Sequence, residues 1–308
     1  MIVNSIVLPA FFPSSMDNEK SFLESIKLLN EYGIDVVEFY YKGDDKVRIK
    51  KYLNKYGFRS IFLAAMKAKQ ENLNLSSLNR EIRKKSVEKI KKCIDDAYFY
   101  NSEIILVNSG KRPMPSSITE KENNIDDAYK FLKESLILLL EYINKKSNDY
   151  QLNLTLEPGD TEIDSFSLIG HTDVAIKLIQ ELREEHENIS LTMDTSHLIQ
   201  LGENPIISIK KASPYCNHIH LANCIIKDKK HALYGDKHPE FGVENSELSL
   251  KDAKLIFNHI KIIYKNSIPI IGLEIIFRNN QTHGMNEYTY FNNIMKKSFL
   301  KKTGGRNG

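Results

Sequence analysis

The sequence predicts an α/β protein built as a single closed (β/α)8 barrel, the TIM barrel fold. Eight short apolar segments alternate with helical segments along the 308 residues, and such alternation indicates a parallel sheet. Segments 104–107 and 268–271 are apolar on both faces, as expected for strands covered by helices. The turn after the first strand, residues 9–13, contains two prolines and no glycine, unlike the phosphate-binding turn of doubly wound sheets. Together these observations favour a barrel over an open sheet.

Each element follows from local signals. Ser21 and Glu24 have the spacing of a capping box and are predicted to start the first helix, while Gly33 and Gly57 end the first two helices. Runs rich in Ile, Val and aromatic residues mark the strands. The predicted strands are residues 5–9, 34–40, 60–66, 103–108, 152–157, 189–194, 217–222 and 268–276. The predicted helices are residues 21–32, 45–56, 77–100, 125–146, 172–187, 205–211, 249–266 and 286–300.

Composition limits the classes of function. Residues 1–300 are predicted to form one domain, and the polar, Gly-rich residues 301–308 a disordered tail. A net charge of +3, from 43 basic and 40 acidic residues, gives no field that would recruit nucleic acid or an anionic membrane. No apolar run approaches the ~20 residues of a membrane span, and the N-terminus lacks the apolar region of a signal peptide. Three cysteines without paired spacing indicate a reducing, cytoplasmic setting.

Four predicted strands end in side chains that can bind a metal. Glu157 closes the fifth strand, Asp194 closes the sixth, and His220 and Glu274 lie near the ends of the seventh and eighth. Catalytic side chains of such barrels lie at the C-terminal ends of the strands, so we expect these four at one rim. Three carboxylates in a buried mouth repel one another unless a cation compensates them. Oxygen-rich ligation with one nitrogen predicts a divalent metal, Mn²⁺ first, with Mg²⁺, Co²⁺ or Zn²⁺ as alternatives. The alternative is that these four residues form a metal-free network of structural hydrogen bonds.

Four motifs carry a resemblance to a known superfamily. They are Leu156-Glu157-Pro158, Asp194-Thr-Ser-His197, His220-Leu-Ala-Asn223 and Leu273-Glu274. They resemble the xylose isomerase-like barrel superfamily, which contains sugar-phosphate isomerases, ketose 3-epimerases, inosose dehydratases and apurinic endonucleases. The resemblance implies one divalent metal held by Glu157, Asp194, His220 and Glu274, with His197 contacting the substrate.

The resemblance also suggests a reaction. The expected function is a metal-dependent isomerase or epimerase that acts on a sugar or polyol-like small molecule through an enediolate. Glu157 and Glu274 would be the catalytic pair, one removing a proton from the substrate carbon and the other returning it from the opposite face. An inosose-type dehydratase, which uses the same enolate chemistry with loss of water, is the first alternative. The sequence identifies neither the substrate nor the oligomeric state, and a homo-oligomer is one of the alternatives.

A phosphodiester hydrolase is the second alternative, because Asp236 and His238 match an Asp-x-His pair that binds an additional zinc in the apurinic endonucleases. Residues 64–66 and 108–110, at the ends of the third and fourth strands, lack the histidines that those enzymes supply. The near-neutral net charge of the chain also disfavours binding to duplex DNA. We therefore expect Asp236 and His238 to face the substrate cavity, with loop ordering as the alternative.

Further residues are assigned by position. Arg278, just after the eighth strand, and Lys111-Arg112, after the fourth, are candidates to neutralise a phosphate or carboxylate of the substrate, with solvated surface charge as the alternative. Glu38 on the second strand is expected to face the same mouth as a partner of the metal ligands. His218 shares a strand face with His220 and is expected to be a buried, hydrogen-bonded core residue.

Overall fold

The chain folds as the predicted closed barrel. The structure, a computed structural model, describes residues 4–114, 118–147, 150–265, 269–277 and 289, with the backbone alone for 118–123. Eight parallel strands pair in sequence order, and β8 closes onto β1. The strands are β1 (Ser5–Val7), β2 (Val36–Phe39), β3 (Arg59–Leu63), β4 (Ile104–Asn108), β5 (Asn153–Glu157), β6 (Ile189–Asp194), β7 (Cys216–Leu221) and β8 (Ile270–Leu273).

Helices follow the strands and cover the outside of the barrel. They are α1 (Leu8–Phe11), α2 (Glu19–Glu31), α3 (Lys46–Tyr56), α4 (Ala64–Gln70), α5 (Arg80–Tyr100), α6 (Ile118–Lys146), α7 (Thr172–Arg183), α8 (Thr195–Gln200), α9 (Pro205–Ala212) and α10 (Leu250–Tyr264), with a 3₁₀ helix at Pro13–Met16. Apart from Thr289, which is helical, the predicted helix 286–300 lies outside the described residues, as do the predicted tail 301–308 and Arg278.

The strand register places the polar strand ends at one level. Asp194 of β6 pairs with His220 of β7, and Glu157 of β5 pairs with Asn108 of β4. The backbone N–H of Glu274 donates to the carbonyl of Leu221 over 3.1 Å, which extends the β7–β8 pairing by one position. All these positions lie at the C-terminal rim, where α/β barrels carry their active sites.

The apolar core fills the barrel and the layer between strands and helices. Phe39 of β2, for example, is fully buried and packs edge-on against Phe22, Phe62 and Tyr100, with ring centroids 5.5, 5.8 and 5.0 Å away. These contacts tie the barrel wall to α2 and α5 and hold the rim in place. Among the described residues, no helix combines the length and apolar character needed to cross a bilayer.

Several predicted strands end early, the eighth at Leu273 and not at residue 276, and in two cases the reason is a helix that starts at the rim. β1 ends at Val7 and β3 ends at Leu63, where α1 and α4 begin. Pro9 suits the first turn of a helix, and residues 64–68 are rich in strong helix formers. The predicted ends at residues 9 and 66 are therefore wrong, and the first turns of both helices lie beside the barrel mouth.

The predicted start of the first long helix is also wrong. Asn18 caps α2 by accepting a 2.9 Å hydrogen bond from the Ser21 backbone N–H, whereas the Ser21 hydroxyl bonds to that of Ser14. Asn is among the strongest capping residues, and Glu19 then lies in the first turn, where the helix dipole favours negative charge.

Candidate metal and substrate site

The rim brings four distant residues into one cluster. Glu157, Asp194, His220 and Glu274 each offer one ligand atom, and these atoms all lie within 4.8 Å of one another. His220 Nδ1 lies 3.0 Å from Glu157 Oε1, 2.8 Å from Glu274 Oε2 and 3.8 Å from Asp194 Oδ2. Three carboxylates and one imidazole nitrogen that converge on a single point form a donor set suited to a hard divalent cation.

The local fold orients Asp194 toward this point. Asp194 is the N-cap of α8, and its Oδ1 accepts bonds from the Ser196 N–H, the Ser196 hydroxyl and the His197 N–H at 2.6, 2.6 and 3.1 Å. Its Oδ2 is buried and has no hydrogen-bond partner among the described residues. Because an orphaned buried carboxylate oxygen is costly, this atom fits the role of a metal ligand.

Glu38 holds His220 from the opposite side. Glu38 Oε2 lies 2.8 Å from His220 Nε2, while Glu38 Oε1 accepts from the Ser5 hydroxyl at 2.7 Å and lies 3.2 Å from His218 Nε2. Both Glu38 and His218 are fully buried. This carboxylate directs the Nε2 proton of His220 toward itself and leaves Nδ1 free for the cluster, the usual role of an outer partner of a metal-binding histidine.

Gly272 of β8 leaves room for that pair. A Cβ atom at this position would overlap Glu38 Oε1 and come within 3.2 Å of the His220 ring. Register explains the contact, since His220 pairs with Gly272 across the β7–β8 ladder. The His220–Glu38 pair therefore depends on the absence of a side chain at this point of β8.

The cluster carries more negative charge than it can compensate alone. Burial lowers the pKa of His220, but the charges of Glu38 and Glu274 outweigh this effect and raise the pKa well above its ordinary value. Burial raises the pKa of Glu274, yet the charges of His238 and His220 bring it down to about 2. Burial raises the pKa of Glu38, but the charges of His218 and His220 outweigh this effect and hold the pKa far below the usual range. Glu38 and Glu274 thus remain ionised, and in the metal-free chain the His220 imidazolium is the cation that faces them.

A second group of three ligand-type residues lies beside the first. Asp236 Oδ1 lies 2.6 Å from His238 Nε2 and 3.2 Å from His197 Nε2. The other ring nitrogens are held by backbone, His197 Nδ1 by the Pro158 carbonyl and His238 Nδ1 by the Glu274 carbonyl, both at 3.0 Å. Each of the three residues offers one ligand atom within 4.8 Å of the others.

Each member of this second group is held in its charged form by its neighbours. Burial opposes the charged form of His238, but Asp236 and Glu274 outweigh it and raise the pKa of His238 to about 10. Burial would likewise raise the pKa of Asp236, yet His238 and His197 hold it well below the usual value. Burial lowers the pKa of His197, but the charges of Asp194 and Asp236 outweigh this effect and raise it well above its ordinary value. In the metal-free chain the group is therefore an Asp between two imidazolium rings.

Both clusters open into one cavity of about 360 Å³, within the ~300–1,000 Å³ of small-molecule sites. The cavity is lined by residues from α4, from the β4 and β5 loops and from the two clusters, namely Ala65, Met66, Ala68, Lys69, Asn72, Leu73, Asn108, Gly110, Lys111, Glu157, Gly159, Asp164, Ser165, Ser167, His197, Asp236, His238 and Glu274. Of the residues predicted to bind the metal or the substrate, Asp194, His220 and Arg112 do not line it, Arg278 lies outside the described residues, and the others line it.

Asp160 organises the loop that forms one wall of this cavity. It is fully buried, and its Oδ1 accepts bonds from the backbone N–H groups of residues 162–164 at 2.6 to 3.1 Å. Its Oδ2 accepts from the Ser165 N–H and hydroxyl at 2.7 and 2.6 Å. The loop in turn supports the second cluster, since Asp164 Oδ2 accepts the Asp236 N–H over 3.1 Å.

Sequence reasoning missed the wall formed by α4. Lys69 and Asn72 line the cavity because β3 gives way to a helix at Ala64. The predicted strand 60–66 hid that change of direction, and the helix-forming run Ala-Ala-Met-Lys-Ala was the signal that could have revealed it. Ser165 and Ser167 were missed because only the fold of the β5 loop brings them to the mouth.

Comparison with known proteins agrees with this architecture. The family model described as "Xylose isomerase-like TIM barrel" matches residues 26–258. A D-tagatose 3-epimerase-like protein is 17% identical with a TM-score of 0.71, over 96% of this chain and 98% of that one. An L-ribulose 3-epimerase is 14% identical with a TM-score of 0.71, over 99% and 98%. A family 2 AP endonuclease from Brucella melitensis is 15% identical with a TM-score of 0.70, over 95% and 100%. No curated protein sequence is significantly similar to this chain.

Proposed function

The chain belongs to the xylose isomerase-like TIM barrel family, and on that basis we propose that it is a metal-dependent sugar isomerase or epimerase. The observation that carries the proposal is the convergence of Glu157, Asp194, His220 and Glu274 within 4.8 Å beside a small-molecule cavity. The similarity of the fold to epimerases that act on ketoses supports a sugar substrate.

The metal would be held by Glu157, Asp194, His220 Nδ1 and Glu274. The unpartnered Asp194 Oδ2 and the His220 Nδ1 atom that faces Glu157 and Glu274 fit such an ion, with Mn²⁺ the expected metal and Mg²⁺, Co²⁺ or Zn²⁺ as alternatives. When bound, a divalent cation acts as a Lewis acid that polarises a substrate carbonyl and acidifies the neighbouring C–H.

The two glutamates are placed to move the proton. Glu157 and Glu274 come from β5 and from the end of β8, both line the cavity, and both lie within 3.0 Å of His220 Nδ1, so each would be close to a substrate bound at the metal. One carboxylate would remove the proton to give the enediolate, and the other would return it from the opposite side. His197 lines the cavity with Nε2 3.2 Å from Asp236 Oδ1, and it would donate through that nitrogen to a substrate oxygen in exchange for its contact with Asp236.

A dehydratase would use the same glutamates and differ only in expelling water. A phosphodiester hydrolase is favoured by one observation, the ligand-type group of His197, Asp236 and His238. Against it, residues 64–66 and 108–110 at the ends of β3 and β4 hold no histidine for further metal ions. One bound ion per chain would favour the isomerase, whereas three ions and a nicked abasic duplex would favour the hydrolase.

Solvent exchange tests the proposal. The purified protein with Mn²⁺ is incubated in D₂O with a panel of ketoses and inososes, and deuterium at the substrate carbon is followed by NMR. Glu274→Gln should slow exchange by ~10²–10⁴-fold, the usual contribution of a general acid or base. Metal content is measured on the same sample: exchange lost with the ion retained supports proton transfer by Glu274, and loss of both supports a ligand role.

The exposed residue Glu162, in the same loop as Asp160, offers the matched control. Glu162→Gln removes an equal charge without touching the cluster and should exchange at the wild-type rate. Wild-type exchange in Glu274→Gln would remove Glu274 from the mechanism, and absence of exchange with every sugar by the wild-type protein would reject the isomerase.

A further inference from the structure

We propose that the substrate carries an anionic group, a phosphate ester or a carboxylate, bound by Lys69 and Lys111 on the wall of the cavity formed by α4 and the β4 loop. This inference rests on the proposed function, because it names the substrate class of the same site. It concerns different residues, so that the two can be tested apart.

The charges of the cavity are unevenly compensated. Asp236 lies between two imidazoles, and Asp164 Oδ2 receives the Lys237 ammonium at 2.7 Å. Lys69 and Lys111 also line the cavity, but neither has an ion pair with any acidic group in the described ranges. These two exposed ammonium groups are therefore available to an anionic group of a bound ligand.

The backbone holds Lys111 in a fixed position. Its carbonyl accepts from Asn74 Nδ2 at 3.0 Å and from the Ser76 hydroxyl at 3.3 Å, and its backbone forms a bridge with Ser167 of the opposite loop. Gly110 precedes it with φ +80°, and a Cβ there would overlap Asn74, so the turn requires glycine. A rigid anchor limits the ordering cost of binding to the Lys111 side chain itself.

Neighbouring cations are committed elsewhere. Arg112, the next residue, donates through Nη1 to the Thr161 carbonyl at 3.2 Å, and its N–H donates to the Phe166 carbonyl at 2.8 Å. Arg112 therefore braces the β5 loop and does not line the cavity. Lys69 stands in the last turn of α4, where its flexible stem can bring the ammonium to a ligand.

A substrate with only neutral hydroxyl groups would not need two unpaired lysines on the cavity wall. A polyol is recognised by paired donors and acceptors, whereas two unpaired ammonium groups attract an anion over longer range and strengthen its hydrogen bonds. The carboxylates of the Glu157 cluster repel a second anion, so the anionic end of the substrate is expected on the lysine side.

Binding by isothermal titration calorimetry tests the proposal. The Mn²⁺-loaded protein is titrated with D-fructose, D-fructose 6-phosphate, 5-keto-D-gluconate and inorganic phosphate, and the same series is run on Lys69→Gln/Lys111→Gln. Wild type should bind at least one anionic ketose about 10-fold or more tightly than D-fructose, and the double variant should lose that advantage while its affinity for D-fructose stays within twofold. The preferred probe decides between phosphate ester and carboxylate.

The control is Lys27→Gln/Lys51→Gln, which removes two exposed lysines of α2 and α3 that have no part in the cavity. This variant should bind every probe as wild type does. The proposal is overturned if no anionic probe shows lysine-dependent binding, inorganic phosphate included, or if D-fructose binds as tightly as its phosphate. Lysine-dependent anion binding without deuterium exchange would instead reject the isomerase and leave the anion site standing.

Discussion

Replacing Glu38 by Gln should weaken metal binding although Glu38 is not itself a ligand. Two donors contact its carboxylate, Ser5 Oγ at Oε1 and His220 Nε2 at Oε2, and His218 Nε2 lies 3.2 Å from Oε1. An amide has one acceptor oxygen, so its NH₂ group must face one of these donors. Keeping two contacts on the oxygen places the NH₂ against His220.

The consequence for His220 is a change of tautomer. Facing an NH₂ donor, Nε2 becomes an acceptor, and the proton moves to Nδ1, which lies 2.8 Å from Glu274 and would otherwise bind the metal. Loss of an outer partner of a metal-binding histidine costs ~10–100-fold in affinity, which is ~1.4–2.8 kcal/mol. The one charge-assisted bond lost here, worth ~1.5–3 kcal/mol, falls in the same range.

Mn²⁺ affinity measured by isothermal titration calorimetry gives the result directly. Ser5→Ala is the control, because it removes a bond to the same carboxylate but leaves the contact with His220, and its affinity should stay within about twofold of wild type. Thermal melts without metal establish that both variants fold. Wild-type affinity in a folded Glu38→Gln variant would refute the proposed orientation of the imidazole.

Three further outcomes are expected. Gly272→Ala should cost ~1–3 kcal/mol in urea unfolding, because its Cβ overlaps Glu38 Oε1; an unchanged midpoint would mean the barrel tolerates the methyl group. Burial raises the pKa of Asp160, but bonds from Ser165 and the loop backbone hold it below the usual value. Its stabilisation is thus present above the unfolded pKa of ~3.9 and is lost as pH falls through the folded pKa. Asp160→Asn should be less stable at pH 7 and lose less on acidification, and a wild-type acid transition would contradict this. Mn²⁺ at 100 times its Kd should add ~2.7 kcal/mol to the free energy of unfolding. Asp194→Asn should not respond to the metal in the same melts, and an equal response would remove Asp194 from the ligands.

The barrel and its rim follow from the sequence because parallel strands put their C-terminal ends at one level. The ends of β4, β5 and β6 are predicted to the residue at Asn108, Glu157 and Asp194. At each of these ends an apolar run meets a polar residue. The change is clear in the sequence because a strand covered by helices is apolar on both faces. From three such ends, the position of His220 follows by register.

What the sequence does not reveal depends on contacts between distant segments. Nothing local indicates that His220 Nδ1 faces the metal ligands while Nε2 faces Glu38, since that choice follows from packing across β1, β2 and β8. The cavity wall formed by α4 is not predicted, because the apolar residues Ala64-Ala-Met continue the apolar run of β3 and are also compatible with a helix. In the sequence Asp160 is an ordinary loop carboxylate, because the backbone N–H groups that bind it are brought together only by the fold of the loop.

Anomalous diffraction at the manganese edge, from crystals grown with Mn²⁺, tests the central claim most directly. We expect one peak bound by Glu157, Asp194, Glu274 and the Nδ1 atom of His220, at ~2.0–2.6 Å from each ligand atom. An ion bound through His220 Nε2, an ion held only by His197, Asp236 and His238, or no ion at either cluster would contradict the proposed centre.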